Sequence, residues 1–329
     1  MPIDVNGLHA VWQALHQGNR FFVAGHLNPD GDSVGSTLAV CSLLKRMGKT
    51  AYAYAAPSVG ADLQFLPGMT DLHVAQLPAG QTFDTVVMLE CSDKKRGGDL
   101  DAFLQAAQRV VHIDHHAVSD PYGHVNYIDT QASSTAEIIF QLFEESDGEF
   151  LPTPDEATCL YTGVATDTGR FVHTNTTPEA LRVAAALAAL GADVNTVNDH
   201  IYFTKPYAEL KLLGRALEKM QLKFDNRYSE ILLTKQDFEA FAAQPAQAQG
   251  IVSQPTMIPG VEVSALLKEE PAHISVNLRS RGAVDVSQIA KQFGGGGHAR
   301  AAGCKLAGQT LQQAADALAR VVQYALTPR

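Results

Sequence analysis

Two short apolar runs, each ending in histidine and aspartate, constrain the fold of this chain more than any other feature. Residues 21–24 (Phe-Phe-Val-Ala) lead into His-Leu-Asn-Pro-Asp-Gly-Asp at 26–32, and residues 110–113 lead into Asp-His-His at 114–116. Continuous runs of this kind are typical of buried parallel strands. Open α/β folds bind ligands at the carboxyl ends of such strands. The alternative, two acidic surface turns, is weak because one chain carries both clusters.

The polar residues at these strand ends are suited to a metal centre. They are His26, Asp30 and Asp32 after the first run and Asp114, His115 and His116 after the second, and a third apolar run, 85–89, ends in Glu90. Carboxylate and imidazole ligands without thiolates favour Mn²⁺ or Mg²⁺ over a structural zinc ion. A strand-end acid such as Glu90 could also be an ordinary solvated residue when taken alone.

Composition restricts the class of protein and its partners. The chain has 329 residues, 46% of them hydrophobic, which is enough for a large core in one or two domains. Its net charge of −10 argues against binding long duplex nucleic acid over the whole surface. Recognition of nucleic acid is therefore expected to be local.

The cysteines and the N-terminal residues bear on location. The four cysteines lie far apart without a Cys-x-x-Cys pair, as expected in a reducing compartment. The first residues do not resemble a signal peptide, and no apolar run reaches the roughly 18 residues of a membrane span. We therefore expect a cytoplasmic protein without a membrane partner.

The pattern along the chain predicts alternating strands and helices followed by a second domain. Helical spacing is found from Val5 to Leu15, and Ser33 is a candidate cap for the helix that ends at Gly48. We predict a catalytic domain at 1–190, a helical connector at 191–224 and a smaller α/β domain at 225–329.

The last third of the chain contains a basic segment with a glycine run. Residues 271–305 include five Lys or Arg residues and one acid, and residues 294–297 are four consecutive glycines before His298. Glycines let backbone amides approach a ligand or form a tight turn, although a flexible linker is the simpler explanation of such a run. Arg279 and Arg281 are candidates for phosphate binding, because the arginine fork matches phosphate oxygens.

The motifs taken together resemble the DHH phosphoesterases with a DHHA1 substrate-binding domain. Residues 26–36 resemble the first motif of that family, Asp114-His115-His116 the third, residues 163–171 the fourth, and Gly295-Gly296-Gly297-His298 the glycine-rich signature of the DHHA1 domain. The resemblance implies a mainly parallel N-terminal sheet flanked by helices, with a smaller C-terminal α/β domain. Glu90 departs from the family pattern, which has an aspartate at that position.

The resemblance also implies roles for individual residues. Two divalent metal ions, Mn²⁺ preferred and Mg²⁺ as the alternative, would be held by six residues: His26, Asp30, Asp32, Glu90, His115 and Asp167. His116 would contact the scissile phosphate or assist the leaving oxygen, and Asp114 would orient a histidine or brace the loop. Substrate contacts would come from Arg170, Arg279, Arg281, Gly295, Gly296, Gly297 and His298.

The order and length of the domains resemble the branch of bifunctional oligoribonucleases and 3′-phosphoadenosine 5′-phosphate (PAP) phosphatases. That branch implies hydrolysis of short oligoribonucleotides (nanoRNA), PAP or both, yielding mononucleotides. A phosphodiesterase for linear or cyclic dinucleotides is the closer alternative. A metal-free nucleotide sensor ranks low, because every metal-ligand position holds a competent residue. The partners expected are short single-stranded RNA or a small nucleotide, and the sequence leaves a homodimer open.

Overall fold

A computed structural model describes residues 7–248 and 250–327. The chain divides into two compact units, with the boundary between Thr204 and Lys205. The start of the helix predicted from Val5, like the outer ends of both predicted domains, lies outside the described residues.

The N-terminal unit is built on a six-stranded sheet in which every neighbouring pair of strands is parallel. The strand order is β3-β2-β1-β4-β5-β6. The strands are β1 (Arg20–Ala24), β2 (Thr50–Ala55), β3 (Leu72–Val74), β4 (Thr85–Leu89), β5 (Arg109–Asp114) and β6 (Val125–Ile128). Since chain order reverses at β1, the carboxyl ends of β1 and β4 flank a topological switch point, where folds of this kind bind ligands.

Helices pack on the sheet to complete the core of this unit, and some of them position the polar residues at the carboxyl edge of the sheet. They are α1 (Leu8–Gln17), α2 (Gly31–Arg46), α3 (Asp101–Ala106), α4 (Thr135–Glu144), α5 (Pro154–Asp167), α6 (Pro178–Ala189) and α7 (Val194–Asn198). A π-helical segment, Asp199–Phe203, follows α7. Buried side chains of α2, α4 and α5 form one hydrophobic core with one face of the sheet, which explains the apolar runs in the sequence.

The cap of α2 differs from the prediction. Ser33 lies inside the helix, and the N-cap is Asp30, whose Oδ1 accepts hydrogen bonds from the backbone N–H groups of Asp32 and Ser33. Both Asp and Ser are good caps, and the early turn at Gly31 selects the aspartate. A residue predicted as a metal ligand therefore also fixes the start of the helix.

The C-terminal unit contains a second six-stranded sheet of order β11-β12-β10-β9-β8-β7. Its only parallel pair among the described strands is β8 with β9. The strands are β7 (Gln221–Lys223), β8 (Tyr228–Leu233), β9 (Val263–Glu269), β10 (Ile274–Ser280), β11 (Gly296–His298) and β12 (Ala301–Leu306). The helices are α8 (Tyr207–Glu218), α9 (Lys235–Glu239), α10 (Val286–Lys291) and α11 (Leu311–Leu326).

The segment predicted as a connector, 191–224, is shared between the two units. Its first half, α7 and the π-helical segment, belongs to the N-terminal unit, and α8 and β7 belong to the C-terminal unit. Val197 and Ile201 are buried in the N-terminal core, whereas Leu212 and Ala216 are buried with residues of β8 and β9. Within the residues described, no helix is both long and apolar enough to cross a membrane.

Candidate metal centre

The six predicted metal ligands lie together at the carboxyl edge of the parallel sheet. The loop between β1 and α2 carries two of them, the first turn of α2 one, the ends of β4 and β5 one each, and the last residue of α5 supplies the sixth: His26, Asp30, Asp32, Glu90, His115 and Asp167. Parallel strands end at one edge, so residues far apart in sequence converge there.

The ligand atoms form two overlapping groups. One contains His26, Asp30 and Glu90, and the other contains Asp32, Glu90, His115 and Asp167; within each group the atoms lie within 4.8 Å of one another. The Nε2 atom of His26 is 3.6 Å from Glu90 Oε2, and the Nε2 atom of His115 is 3.4 Å from Asp167 Oδ2. The geometry therefore offers two adjacent positions for a cation.

Glu90 belongs to both groups. Its Oε2 faces His26, and its Oε1 is 3.9 Å from His115 Nε2. Its backbone has φ = 57°, a left-handed conformation that is rare for a residue with a long side chain. Its N–H donates to Ile113 O at 3.0 Å, which fixes the end of β4 against β5. This bend places the carboxylate between the two histidines.

Asp32 is buried and is held by the N-terminus of α4. Its Oδ2 accepts from the N–H of Thr135 at 2.7 Å, and its Oδ1 accepts from the N–H of Ala136 at 2.8 Å. The positive end of a helix stabilises a carboxylate in this position. Gly163 of α5 is required for the fit, because a Cβ atom there would lie 2.6 Å from Asp32 Oδ1.

Hydrogen bonding fixes the proton of His26. The ring atom Nδ1 lies 2.8 Å from the carbonyl oxygen of Leu27, which can only accept, so Nδ1 carries the hydrogen. In the neutral ring the lone pair is then on Nε2, the atom that faces Asp30 and Glu90. A histidine that ligates a metal through one nitrogen is usually oriented through the other in this way.

Burial and mutual repulsion perturb the acids of the centre. Burial, together with the charges of Asp32 and Asp30, raises the pKa of Glu90 well above its usual range. Burial and the charge of Asp32 raise the pKa of Asp167 to about 7, although His115 opposes the shift. Burial also raises the pKa of Asp32, to which the charge of Asp30 adds. So many buried carboxylates cost free energy without a compensating positive charge.

The residues present fit divalent cations. Glu90 Oε2 and His115 Nε2 are buried and have no hydrogen-bond partner, although almost all buried polar atoms have one. Both atoms face the centre, and the donor set contains only oxygen and imidazole nitrogen. This set suits Mn²⁺ or Mg²⁺. A cation held among these acids would provide a partner for the two unpaired atoms and would offset the burial and repulsion that raise the pKa values.

His116 lies beside Glu90 and His115 and is held at both ring nitrogens. Its Nδ1 lies 2.8 Å from Asp114 Oδ1, and its Nε2 lies 3.1 Å from Nη1 of Arg96. A guanidinium only donates, so Nε2 is an acceptor and Nδ1 carries the hydrogen. Burial alone would raise the pKa of Asp114, but the hydrogen bond from His116 and other favourable contacts hold it at about 2. Asp114 is therefore ionised, and its carboxylate orients the ring of His116.

Arg96 was not predicted from the sequence. It lies in a short 3₁₀ turn, Lys94–Gly97, directly after the strand that ends in Glu90. Its backbone carbonyl accepts from the N–H of Leu27 at 2.6 Å, which joins this turn to the loop after β1. Three consecutive cations at 94–96 in an acidic chain were a usable signal.

Arg170, predicted to bind substrate, lies against aromatic rings of the same unit. Its guanidinium carbon is 4.7 Å from the ring centres of both Tyr202 and Phe203, in the π-helical segment. The hydroxyl of Tyr202 donates to Ala165 O of α5 at 2.8 Å. The Arg170 backbone has φ = 61° and follows Asp167 by three residues. The side chain is exposed and its cation–π contacts stabilise this conformation.

The remaining predicted substrate residues belong to the C-terminal unit. Arg279 lies on β10, is half-buried, and donates from Nη1 to Leu278 O at 3.1 Å; burial lowers its pKa. Arg281 is exposed and donates to Thr256 O at 3.2 Å. Their contacts with backbone carbonyls leave further guanidinium N–H groups for a ligand.

The glycine run forms a hairpin rather than a flexible linker. Gly296, Gly297 and His298 pair with residues 301–303 as the antiparallel strands β11 and β12. Gly297 has φ = 136°, and a Cβ atom there would lie 2.5 Å from Ala301 O, so only glycine fits. A Cβ atom at Gly296, in contrast, would meet no atom within 4 Å, which leaves its backbone open to an approaching ligand. His298 is exposed at the end of β11.

Comparison with known proteins agrees with this geometry. The family described as the DHH family, N-terminal domain, matches residues 20–164, and the DHHA1 domain matches residues 234–325. The protein named bifunctional oligoribonuclease and PAP phosphatase NrnA, from Thermus thermophilus, is 34% identical over 93% of this chain and 90% of its own length. The chain belongs to the DHH/DHHA1 family.

Two further relatives place the chain within that family. The crystal structure of an exopolyphosphatase-related protein from Bacteroides fragilis superposes with a TM-score of 0.85 at 25% identity, covering 97% of this chain and 95% of that one. A protein named cyclic-di-AMP phosphodiesterase PdeA, from Listeria monocytogenes, is 27% identical over 93% of this chain but only 47% of its own length. The mainly parallel N-terminal fold and the DHHA1 domain predicted from the motifs are confirmed.

Proposed function

We propose that this protein is a two-metal phosphoesterase that hydrolyses short oligoribonucleotides, PAP or both to mononucleotides. The observation that carries the proposal is the convergence of two overlapping ligand groups on Glu90 at the sheet edge. The relative named NrnA, which is similar along almost its whole length, supports the substrate class.

In this proposal one cation is held by His26, Asp30 and Glu90. The other is held by Asp32, Glu90, His115 and Asp167. Cations bound there supply Lewis-acid polarisation of a phosphate ester and a nucleophilic water. Glu90 stands where the family resemblance implies an aspartate, and it adopts a left-handed backbone conformation at the end of β4.

The residues around the cations have separate tasks. His116, oriented by the anionic Asp114, contacts the scissile phosphate; to assist the leaving oxygen, its Nε2 takes up a proton from solvent and gives up the contact with Arg96. The helix terminus at Thr135 and Ala136 keeps Asp32 ionised and in place. Arg279, Arg281, His298 and the glycine run Gly295, Gly296 and Gly297 bind a second phosphate or the terminal nucleotide, and Arg170 binds substrate beside Asp167. The N–H of Gly295 itself donates to Ala290 O at 2.9 Å and so holds the turn.

Activity is expected to require added divalent metal, with Mn²⁺ preferred over Mg²⁺, because imidazole and carboxylate ligands are combined. The measurement is the turnover of a 5′-phosphorylated diadenylate by chelated protein, before and after each metal is restored. Full turnover by exhaustively chelated protein would contradict the two-metal mechanism.

A substrate panel with Mn²⁺ separates the candidate functions. It contains dinucleotides, RNA of increasing length, PAP, cyclic dinucleotides and pyrophosphate. The proposal predicts rapid hydrolysis of dinucleotides, PAP or both, with rates that fall as RNA lengthens. The similarity to a cyclic-di-AMP phosphodiesterase favours cyclic dinucleotides as the second candidate. Tight nucleotide binding without turnover of any substrate would indicate a sensor instead.

We also propose that the protein acts in the cytoplasm. All four cysteines are free and buried, as expected for a chain that folds in a reducing compartment.

A further inference from the structure

Arg96 is a cation beside the metal centre whose donors are only partly used. Nη1 contacts His116 Nε2 at 3.1 Å and Ser92 Oγ at 3.4 Å, and these are its side-chain contacts among the described residues. A guanidinium has five N–H donors in a planar fork that matches a phosphate group. The half-buried side chain therefore has donors available for an anion.

The position of Arg96 is fixed by the backbone rather than by an ion pair. Asp93 caps the turn by accepting from the N–H of Lys95 at 2.8 Å, and the carbonyl of Arg96 accepts from Leu27 at 2.6 Å. No carboxylate neutralises its charge: none of the acids in the described residues lies within ion-pair distance. The guanidinium therefore has no direct ion-pair partner among the described residues, and the anionic Asp114 is reached only through His116.

The contact between Arg96 and His116 also affects whether that histidine can ligate a metal ion. Glu90, His115 and His116 could by distance hold a cation. Because Arg96 donates to Nε2 while Asp114 accepts from Nδ1, both nitrogens of His116 are occupied by protein. The contact with Arg96 therefore occupies the lone pair with which His116 would otherwise bind a cation.

We propose that Arg96 is a substrate-binding residue that contacts an oxygen of the scissile phosphate with the N–H donors that His116 and Ser92 leave free. The inference rests on the proposed function, because it needs a phosphoester at the metal centre. It makes Arg96 part of the site where the ester is cleaved, unlike Arg279 and His298, which are proposed to bind the remainder of a nucleotide. No bond is made or broken by Arg96 itself.

The test compares Arg96→Ala and Arg96→Lys with Lys95→Ala, which removes an exposed cation from the same turn. Two substrates are used with Mn²⁺, 5′-phosphorylated diadenylate and bis(p-nitrophenyl) phosphate. Loss of one charge-assisted contact is expected to lower kcat/KM about 10- to 100-fold for both substrates in Arg96→Ala. Arg96→Lys should recover part of that loss, and Lys95→Ala should stay within about threefold of the parent.

Calorimetric titration with Mn²⁺ and thermal unfolding separate this role from a structural one. Arg96→Ala should bind Mn²⁺ at least as tightly as the parent does, because the lone pair of His116 is then free, and should melt within a few degrees of it. Unchanged turnover of both substrates in Arg96→Ala, or a parallel loss of Mn²⁺ affinity, would overturn the inference. A loss confined to the dinucleotide would also overturn it, because the contact would then lie outside the cleaved phosphate. Failure of the proposed function is distinct, since the parent itself would then hydrolyse neither substrate.

Discussion

The charged side chains of the two units are held in different ways. In the N-terminal unit the carboxylates of the candidate site are anchored by backbone N–H groups: both oxygens of the buried Asp32 accept from α4, and the more exposed Asp30 caps α2. In the C-terminal unit Arg279 and Arg281 each donate to one backbone carbonyl, and His298 is exposed. All three candidate metal groups among the described residues belong to the N-terminal unit.

This difference indicates that the two sets of side chains have different functions. A centre that must accept cations needs ligands placed before binding, and the cost of collecting buried acids is met when the cations arrive. A surface that binds nucleotides of differing length can keep side chains with free donors that adjust to the ligand. We therefore assign chemistry to the first unit and recognition to the second.

Removal of a metal ligand is the strongest test of this division between chemistry and recognition. Asp32→Asn and Asp167→Asn should each abolish nearly all turnover of both test substrates, because an amide is a poor ligand for a divalent cation. The loss should exceed the roughly 10- to 100-fold that follows removal of an outer partner of a ligand. Steady-state kinetics with Mn²⁺ titration measures both effects, and Asp155→Asn, an exposed acid on α5, is the control. Near-normal rates in either variant would show that the ligand assignment is wrong.

Substitutions at Glu90 test whether its carboxylate bridges two cations. Glu90→Gln should lose most activity, since an amide cannot offer an anionic oxygen to each of two cations. Glu90→Asp should retain part of it, because it restores the family's usual residue in a site fitted to glutamate. The number of Mn²⁺ ions bound, from calorimetry, distinguishes bridging from simple ligation. A Glu90→Gln enzyme with unchanged metal binding and rate would mean that another residue bridges.

Some of this site could be read from the sequence and some could not. His26, Asp30, Asp32, Glu90 and His115 follow continuous apolar runs, and parallel strands bring such strand ends to one edge whatever the details of packing. The donors to Asp32 and the contact of Arg96 with His116 depend on how α4 and the turn after β4 pack. These are tertiary facts that no local pattern encodes.

The limits of sequence patterns also appear at segment boundaries. The polar, helical character of residues 191–224 predicted a connector, yet the chain divides inside that segment, after the π-helical Asp199–Phe203. Buried residues on each side, such as Val197 and Leu212, belong to different cores. Helical periodicity shows which face is buried but not what buries it.

Variants of the C-terminal unit test recognition apart from chemistry. Arg279→Ala or His298→Ala should lower turnover of the diadenylate about 10- to 100-fold if the lost contact persists in the transition state. The same variants should bind Mn²⁺ normally and hydrolyse bis(p-nitrophenyl) phosphate at close to the parent rate, because that ester has no nucleotide to be recognised. Lys305→Ala, an exposed cation on β12, is the control.

Two outcomes would contradict the division of labour. An equal loss on both substrates would place Arg279 or His298 at the cleaved phosphate. No loss on either substrate would make the glycine hairpin a structural element only.

The smallest expected effect is on the stability of the metal-free protein. Asp167 has a pKa near 4 when unfolded and about 7 when folded, and burial raises the pKa values of Glu90 and Asp32 as well. An acid whose pKa is raised by folding binds more protons in the folded state, so its contribution to stability is present below about pH 4 and is lost as the pH rises toward 7. Asp114, with its pKa held at about 2, contributes a constant amount over this range.

The histidines act in opposite directions in the same range. The pKa of His26 is raised because contacts with Asp30 and Leu27 outweigh burial, so it too favours low pH, whereas burial lowers the pKa of His112, which favours high pH. Asp32, Glu90, Asp167 and His26 favour the folded state at low pH, and His112 favours it at high pH. The chelated protein should therefore melt at a higher temperature at pH 5 than at pH 7.5, by on the order of 5 °C. Differential scanning calorimetry of the full chain with and without Mn²⁺ measures this. Mn²⁺ should remove the difference, because it stabilises the ionised acids, and Asp167→Asn should reduce it without metal. A chelated protein that is more stable at pH 7.5 would mean that the buried acids are already compensated by groups of the protein itself.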